Sequence, residues 1–396
     1  MRIGFFSWET LNSIPVGGVA AVVSHLAEAL SKLGHEVHVF TRLGEGQPEH
    51  EEINGVFEHR CISPGCEDFI EYMDHVCDGM VSCYHEVRNR VGEFDVVHAH
   101  DWHVVNAAAN VKHNTGKEFV WTAHSTEWGR NGNNHNDNWF SNRVSHREWL
   151  GGFLSKAVTT VSHTMKGELQ HIYQIPEGKI NVIYNGVDLD KFKGDVDAGR
   201  IKERYGIWAL DPVVLFLGRM CHQKGPDLLL EAIPGVLSFR GDIKFVFAGG
   251  GDDMIGHVIG RSRYLGVDQS MRVLGYVSNE DRVSLFKAAD VVCIPSRNEP
   301  FGIITLEAWA CGKPVVAADV GGPSEIINNF RTGVKVNLTP DSIAWGIKYL
   351  FGDPTGESIR KMGAEARKEV KKYDWKELAK QYVTVYERIN APLVVG

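Results

Sequence analysis

"NGVDLDKFKGDVDAG", residues 185–199, is charged, punctuated by glycine and weakly apolar, and it separates two stretches that each alternate strand-like and helix-like runs. Upstream, the β-rich runs are "RIGFFSW", "HEVHVFT", "FDVVHAH", "EFVWTAHS", "AVTTVS" and "INVIYNG", with helical stretches such as "VAAVVSHLAEALSKLG" between them. Downstream the alternation restarts with "PVVLFLGR", "IKFVFAGGG", "MRVLGYV", "VVCIPS" and "PVVAADV". Near-continuous Val, Ile and Phe in such runs marks parallel strands buried on both faces, and the helices between them supply the crossovers. The expected fold class is therefore α/β, with two Rossmann-like, doubly wound parallel-sheet domains. The expected boundaries are 1–187, 188–372, and a C-terminal helix at 373–396 that packs back toward the N-terminal domain. In the first helix Val19, Val22, Val23, Leu26, Leu30 and Leu33 fall at helical spacing as a core stripe, and Gly34 closes it.

Composition narrows the function classes. A chain of 396 residues is too long for one comfortable core, and 43% hydrophobic with 23% charged residues is ordinary for a folded globular protein. A formal net charge of −8 argues against nucleic acid or an anionic membrane surface as the main partner. No apolar run approaches the roughly 18 residues of a transmembrane span. The N-terminus enters a strand without a basic leader region, which gives a cytoplasmic expectation. The seven cysteines include no CxxC pair, so structural thiols are expected in place of a zinc site. "GRNGNNHNDNW", residues 129–139, reads as a mobile loop after a strand.

In open α/β sheets ligands bind beyond the carboxyl ends of the strands, so the loops there carry the functional reading. Gly17 and Gly18 lead into a helix whose amide end suits a phosphate, but the GxGxxG spacing of a dinucleotide fold is missing. In "LGRMCHQKGPDLLLEA", Arg219 ends a strand and Lys224 precedes a helix. Two converging cations there form a diphosphate clamp; two solvated loop cations are the plainer alternative. In "PSRNEPFGIITLEAWACGKPVV", residues 295–316, Glu299 lies in a turn and Glu307 about one turn into a helix, among Ile303, Ile304, Leu306 and Trp309. A buried acid costs several kcal/mol, on the order of 2–7, without a partner, and a polyol such as a ribose is one.

"GGV" at 17–19, "NGVD" at 185–188, "GR" followed by "KG" at 218–225, "GGG" at 249–251, and glutamate, seven residues, glutamate at 299–307 resemble the retaining GT-B glycosyltransferases, especially family 4, over nearly the whole chain. The resemblance implies two domains facing a cleft and a nucleotide-diphosphate sugar as donor, with no metal and no cofactor. Arg219 and Lys224 would bind the diphosphate and Glu307 the ribose. Glu299 would hold hydroxyls of the transferred sugar, and the backbone around Phe301, Gly302 and Ile303 would meet the phosphate. Gly17 and Gly18 would let the N-terminal domain approach the same phosphate, and His124 would lie near the sugar. The catalytic set is then His124, Glu299, Arg219 and Lys224. "VDLD", with Asp188 and Asp190, invites a DxD metal reading, which its place in the linker disfavours.

"AHDWHVVNAA", with Asp101 and His103, is similar to the corresponding stretch of starch and glycogen synthases, whereas residues 300–317 look like family 4. Glu127 and Arg130 join Asp101 and His103 on the acceptor side, either as ligands or as residues that order the loop. The expected reaction transfers a hexosyl group, with retention, to a hydroxyl of a glycan or small molecule. UDP-glucose leads among donors, followed by ADP-glucose and GDP-mannose, and an α-glucan synthase is the nearest alternative. A catalytically silent nucleotide-sugar-binding subunit is the alternative from another class. A homo-oligomer is compatible with the sequence, and base selection is expected near "GYV" at 275–277.

Overall fold

The structure, a computed structural model, describes residues 1–391; positions 392–396 of the expected C-terminal segment lie outside the described residues. The chain divides into two compact units, one formed by residues 1–186 together with the segment from Trp375 onward, the other by Val187–Asp374.

In the first unit the elements are β1 (Arg2–Phe6), α1 (Gly18–Lys32), β2 (Glu36–Arg42), β3 (His50–Ile53), β4 (Val56–Cys61), α2 (Phe69–Val91) and β5 (Val96–His100). They continue with α3 (Val105–Thr115), β6 (Phe119–Ala123), α4 (Glu127–Arg130), α5 (Trp139–Leu154), β7 (Ala157–Thr160), α6 (His163–Tyr173) and β8 (Ile180–Val182). The sheet order is β3-β4-β2-β1-β5-β6-β7-β8, parallel except for the β3–β4 hairpin at the edge. Strands β5, β6 and β7 are buried at every position, as near-continuous apolar runs require.

The second unit holds α7 (Ala198–Arg204), β9 (Val213–Leu217), α8 (Pro226–Leu237), β10 (Lys244–Ala248), α9 (Asp252–Tyr264), β11 (Met271–Gly275), α10 (Asn279–Ala288) and β12 (Val291–Ile294). It ends with α11 (Ile303–Ala310), β13 (Val315–Ala318), α12 (Gly321–Ile326), β14 (Gly333–Val336), α13 (Pro340–Phe351) and α14 (Glu357–Glu369). Its sheet, β11-β10-β9-β12-β13-β14, is wholly parallel. Counted from β9 this is the doubly wound order 3-2-1-4-5-6, whose winding reverses between β9 and β12. In the first unit the reversal lies between β1 and β5. Both units thus have the expected class.

The last described helix, α15 (Trp375–Asn390), belongs to the first unit. It buries Trp375, Leu378, Ala379, Tyr382, Val385 and Tyr386, and the Tyr386 hydroxyl meets His98 Nδ1 at 2.7 Å inside the sheet. One expectation fails in α1. Leu33 lies past the last helical turn and is 39% exposed, so the core stripe ends at Leu30. Among the described residues no helix is long and apolar enough to cross a membrane. All seven cysteines are free, and no group of three or more His, Cys, Asp or Glu among the described residues could hold a metal ion.

Candidate functional site

The winding reversal of the second sheet places the loops after β9 and β12 side by side, and the expected Arg219, Lys224, Glu299, Phe301, Gly302, Ile303 and Glu307 lie in or just after them. Lys224 Nζ donates to Glu299 Oε2 at 2.7 Å, and Ser296 Oγ donates to the same oxygen at 2.9 Å. Glu299 is buried. Arg219 is held apart from this pair: its Nη2 donates to Gln223 Oε1 at 3.1 Å, and Gln223 in turn donates to Asn298. Arg297 ties the two loops by donating to Asp227 through Nη1 at 2.8 Å and Nη2 at 2.6 Å, and to the His222 carbonyl at 2.7 Å.

Close backbone packing sets this geometry. Gly225, at φ 68°, ends the loop against the next one, and a Cβ there would stand 2.1 Å from the Pro295 carbonyl oxygen. Gly321, at φ 55°, approaches Glu299 so closely that a Cβ would stand 2.0 Å from its carbonyl oxygen, and the Gly322 N–H donates to that oxygen at 3.0 Å. "GGP" at 321–323 is thus part of the wall behind Glu299. The sequence reading missed it. Phe301 is expected among the donor-binding residues, but its side chain is 2% exposed, with its ring 6.4 Å from that of Tyr373. Gly302 caps α11, and Ile303 is the helix's first residue.

Glu307 is buried in α11, as expected, but its partner within the protein is Arg282 of α10, whose Nη2 donates to Oε2. Burial pushes the Glu307 carboxyl above the usual range, and the Arg282 charge opposes that. Asp188 and Asp190 serve local structure: the Asp188 side chain accepts from the Asp190 N–H at 3.0 Å, and Asp190 pairs with Lys193.

In the first unit the loops after β1, β5 and β6 carry the remaining residues. The N–H groups of Val16 and Gly17 both donate to Glu9 Oε2 at 2.6 Å, so a carboxylate of the chain already engages the amides before α1. Burial raises the Glu9 carboxyl, with those amides opposing the shift. Gly17 has ordinary extended backbone, and Gly18 opens α1.

Asp101 is buried, its Oδ1 has no hydrogen-bond partner, and burial lifts its carboxyl to about 7. Its backbone, at φ 66° and ψ −179°, occupies a region that is otherwise essentially glycine's. The Asp101 N–H, bonded to the Thr122 carbonyl at 2.8 Å, and the Trp121 indole N–H, bonded to the Asp101 carbonyl at 3.2 Å, hold it there. His103 lies stacked between Trp8 and Trp102, with centroids 4.1 and 4.0 Å away, and its Nδ1 has no hydrogen-bond partner. His124 follows β6 directly. Its Nε2 meets His100 Nδ1 at 3.1 Å, and burial depresses it to about 3, so it is a neutral imidazole.

For Glu127 and Arg130 the structure shows an internal role. Arg130 donates to Glu127 at 3.0 Å, to Glu148 at 2.7 Å and to Ser125 at 2.5 Å. Glu127 also accepts from Asn131 and Ser141. The hub is Glu148, fully buried in α5, which accepts from the Glu127 N–H through both oxygens at 3.0 Å and from the Tyr173 hydroxyl. Nothing in the local sequence marks Glu148, because its partners come from two other elements, α4 and α6. This network orders the start of the 129–139 segment.

Comparison with known proteins shows the family profile described as glycosyl transferases group 1 matching residues 198–369, and that described as glycosyltransferase family 4 matching residues 16–191. An uncharacterized glycosyltransferase of Methanocaldococcus jannaschii is 37% identical over 98% of this chain and 98% of its own length. A glycogen synthase of Mycobacterium tuberculosis is 28% identical over 98% of this chain and 94% of its own. Among solved structures, a sucrose-phosphate synthase from Thermosynechococcus elongatus superposes with a TM-score of 0.81 at 22% identity, covering 98% of both chains.

Proposed function

The chain belongs to the GT-B glycosyltransferases of group 1, and from that premise we propose that it is a retaining hexosyltransferase using a nucleotide-diphosphate sugar, UDP-glucose first among donors. The observation that carries the proposal is the Lys224–Glu299 pair at the winding reversal of the second sheet, beside the capped start of α11. Glu299 gives Oε2 to Lys224 and Ser296, which leaves Oε1 to accept from a hydroxyl of the sugar. Glu307, held by Arg282, offers Oε1 to the ribose in the same way.

In the reaction the acceptor oxygen forms a bond to the anomeric carbon as the bond from that carbon to the diphosphate oxygen breaks. The electron pair leaves with the nucleotide diphosphate, and the acceptor's proton passes to the departing phosphate oxygen. Negative charge grows on that phosphate, so Arg219, Lys224 and the amide end of α11 lower the barrier by standing ready where it appears. These cations perform the neutralisation without a metal, and turnover that survives chelation is the expected outcome. No carboxylate is assigned as a nucleophile: Glu299 positions the sugar. Asp101 and His103 lie on the acceptor side, while Glu127 and Arg130 order its loop.

The test is a thermal-shift panel of UDP-, ADP- and GDP-sugars on the wild type and Lys224→Ala. A ligand at 100 times its Kd stabilises by about 2.7 kcal/mol. One nucleotide that raises Tm only in the wild type supports the clamp. No shift with any nucleotide overturns the donor reading, and binding without turnover or donor hydrolysis points to a silent subunit. The HDWH stretch and the likeness to a glycogen synthase support an α-glucan synthase as the second reading, and a Tm rise specific to ADP-glucose with glucan elongation would select it.

A further inference from the structure

Helix α2 and the end of β4 meet at a pair of thiols that the transferase reading does not use. Cys61, the last residue of β4, is buried, whereas Cys83, in the second half of α2, is half-buried and within reach of solvent. The Cys61 thiol hydrogen-bonds to the Cys83 sulfur, so the two side chains already touch where the helix packs on the sheet. The backbone brings them there. Gly79 lies one helical turn before Cys83 on the same face of α2, and a Cβ at Gly79 would stand 2.3 Å from the Ile62 carbonyl oxygen and 3.8 Å from the Cys61 Cβ. Only a residue without a side chain lets α2 sit so close to the end of β4, and that closeness is what a bond between residues 61 and 83 requires.

The two thiols are unequal, and the inequality has a direction. Burial, reinforced by the contact with Cys83, pushes the Cys61 thiol well up, so it stays protonated and donates. That hydrogen bond pulls the Cys83 thiol down, and the charge of Arg90, two turns further along α2, acts in the same sense, against partial burial and the charges of Glu86 and Glu49. A reachable thiol with thiolate character beside a buried, protonated one is the arrangement of an attacking cysteine and its resolving partner. The two cysteines that lie between them in sequence are engaged elsewhere: Cys66 Sγ donates to Glu71 Oε2 at 3.1 Å and Cys77 Sγ to the His103 carbonyl at 3.3 Å.

We propose that Cys61 and Cys83 form a reversible disulfide, a redox modification site that ties α2 to β4, with a low-molecular-weight disulfide such as oxidised glutathione as the oxidant. The Cys83 thiolate attacks one sulfur of the oxidant, whose S–S bond breaks, and the first small thiolate leaves with the electron pair. Cys61 then gives up its proton and attacks Cys83 Sγ in the mixed disulfide, expelling the second small thiolate. The protons released by the two cysteines protonate the two leaving thiolates, so two protein thiols are oxidised and one small disulfide is reduced to two thiols. The bond closes a loop from residue 61 to residue 83 whose ends the folded chain already holds together, so it restricts the unfolded chain more than the folded one. None of this depends on which reaction the chain catalyses.

The test equilibrates the full-length protein, without denaturant, in glutathione buffers from fully reduced to fully oxidised. Thiols are trapped by acid and alkylation and mapped by peptide mass spectrometry, and Tm is recorded at each ratio. Wild type, Cys83→Ser and Cys61→Ala are compared, with the Tm of the reduced proteins confirming that each is folded. The expected wild-type result is a cross-linked peptide joining Cys61 to Cys83, reversed by dithiothreitol, and a Tm about 5–10 °C above that of the reduced form. Cys61→Ala should stop with glutathione on Cys83, and Cys83→Ser should leave Cys61 unmodified and its Tm insensitive to the ratio. A wild type that stops with glutathione on Cys83, a cross-link that takes in Cys66 or Cys77 instead, or no modification at any ratio overturns the proposal. So does a Cys61–Cys83 cross-link that lowers Tm, because the folded chain would then not hold the two ends in a bonding position. Should Cys61→Ala fail to fold, the wild type and Cys83→Ser decide the matter by themselves.

Discussion

Asp101 carries a cost that pH reveals. Its carboxyl titrates at about 7 in the folded protein because it is buried, against roughly 3.9 when unfolded. Between those values the folded state keeps a proton that the unfolded state has released, so this group's contribution to stability is full below about pH 4 and is lost as pH rises through 7. Asp101→Asn is expected to be more stable than the wild type at pH 8, by on the order of a few kcal/mol, with the difference closing near pH 4. Urea melts at the two pH values check it, and a pH-independent difference would contradict the assignment. Arg282 makes the opposite case: Arg282→Ala leaves Glu307 buried and unpaired, with an expected cost toward the low end of ~3–5 kcal/mol because the arginine is partly exposed. Arg282→Ala/Glu307→Gln should recover part of that loss in the same melts. Glu299, Lys224 and Glu307 were legible because each sits in a loop or helix start whose spacing is local. Arg282, Glu9 and Glu148 were not, since only folding brings them to their partners.

At the scale of elements, the loops after β9 and β12 of the second unit are held by close approaches of backbone to backbone. Gly321→Ala would force a β-carbon into the Glu299 carbonyl at a positive φ, and we expect a loss of about 1–3 kcal/mol together with weaker nucleotide binding, read as a smaller thermal shift than the wild type shows. A variant that loses stability yet keeps the full nucleotide shift would show that the wall does not position Glu299. The long parallel strands were readable because burial on both faces leaves uninterrupted apolar runs. The edge hairpin was not: "HEEI" is exposed or half-exposed throughout, and its signal is the Asn54–Gly55 turn that joins β3 to β4. β14, four residues at the opposite edge of the other sheet, is too short to show a period.

Across the whole molecule, six buried histidines of the first unit have their basicity depressed by burial: His38, His59, His98, His100, His103 and His124, with His59 and His124 at about 3. Unfolding frees them to bind protons below roughly 6.5. Their contribution is present above that value and is lost as pH falls toward 3, so Tm should drop between pH 7 and pH 5 in a calorimetric series, more steeply than Asp101 alone could offset. His98 depends on the far end of the chain, because Tyr386 is its partner. α15 thus makes the first unit discontinuous in sequence while the second runs unbroken from Val187 to Asp374. On the ribosome the domain begun first is therefore finished last: the nascent second domain has all its residues before the first receives its closing helix. A nascent chain stalled after Asp374 should yield a protease-resistant second domain and a cleavable first one, and release of the final helix should protect both.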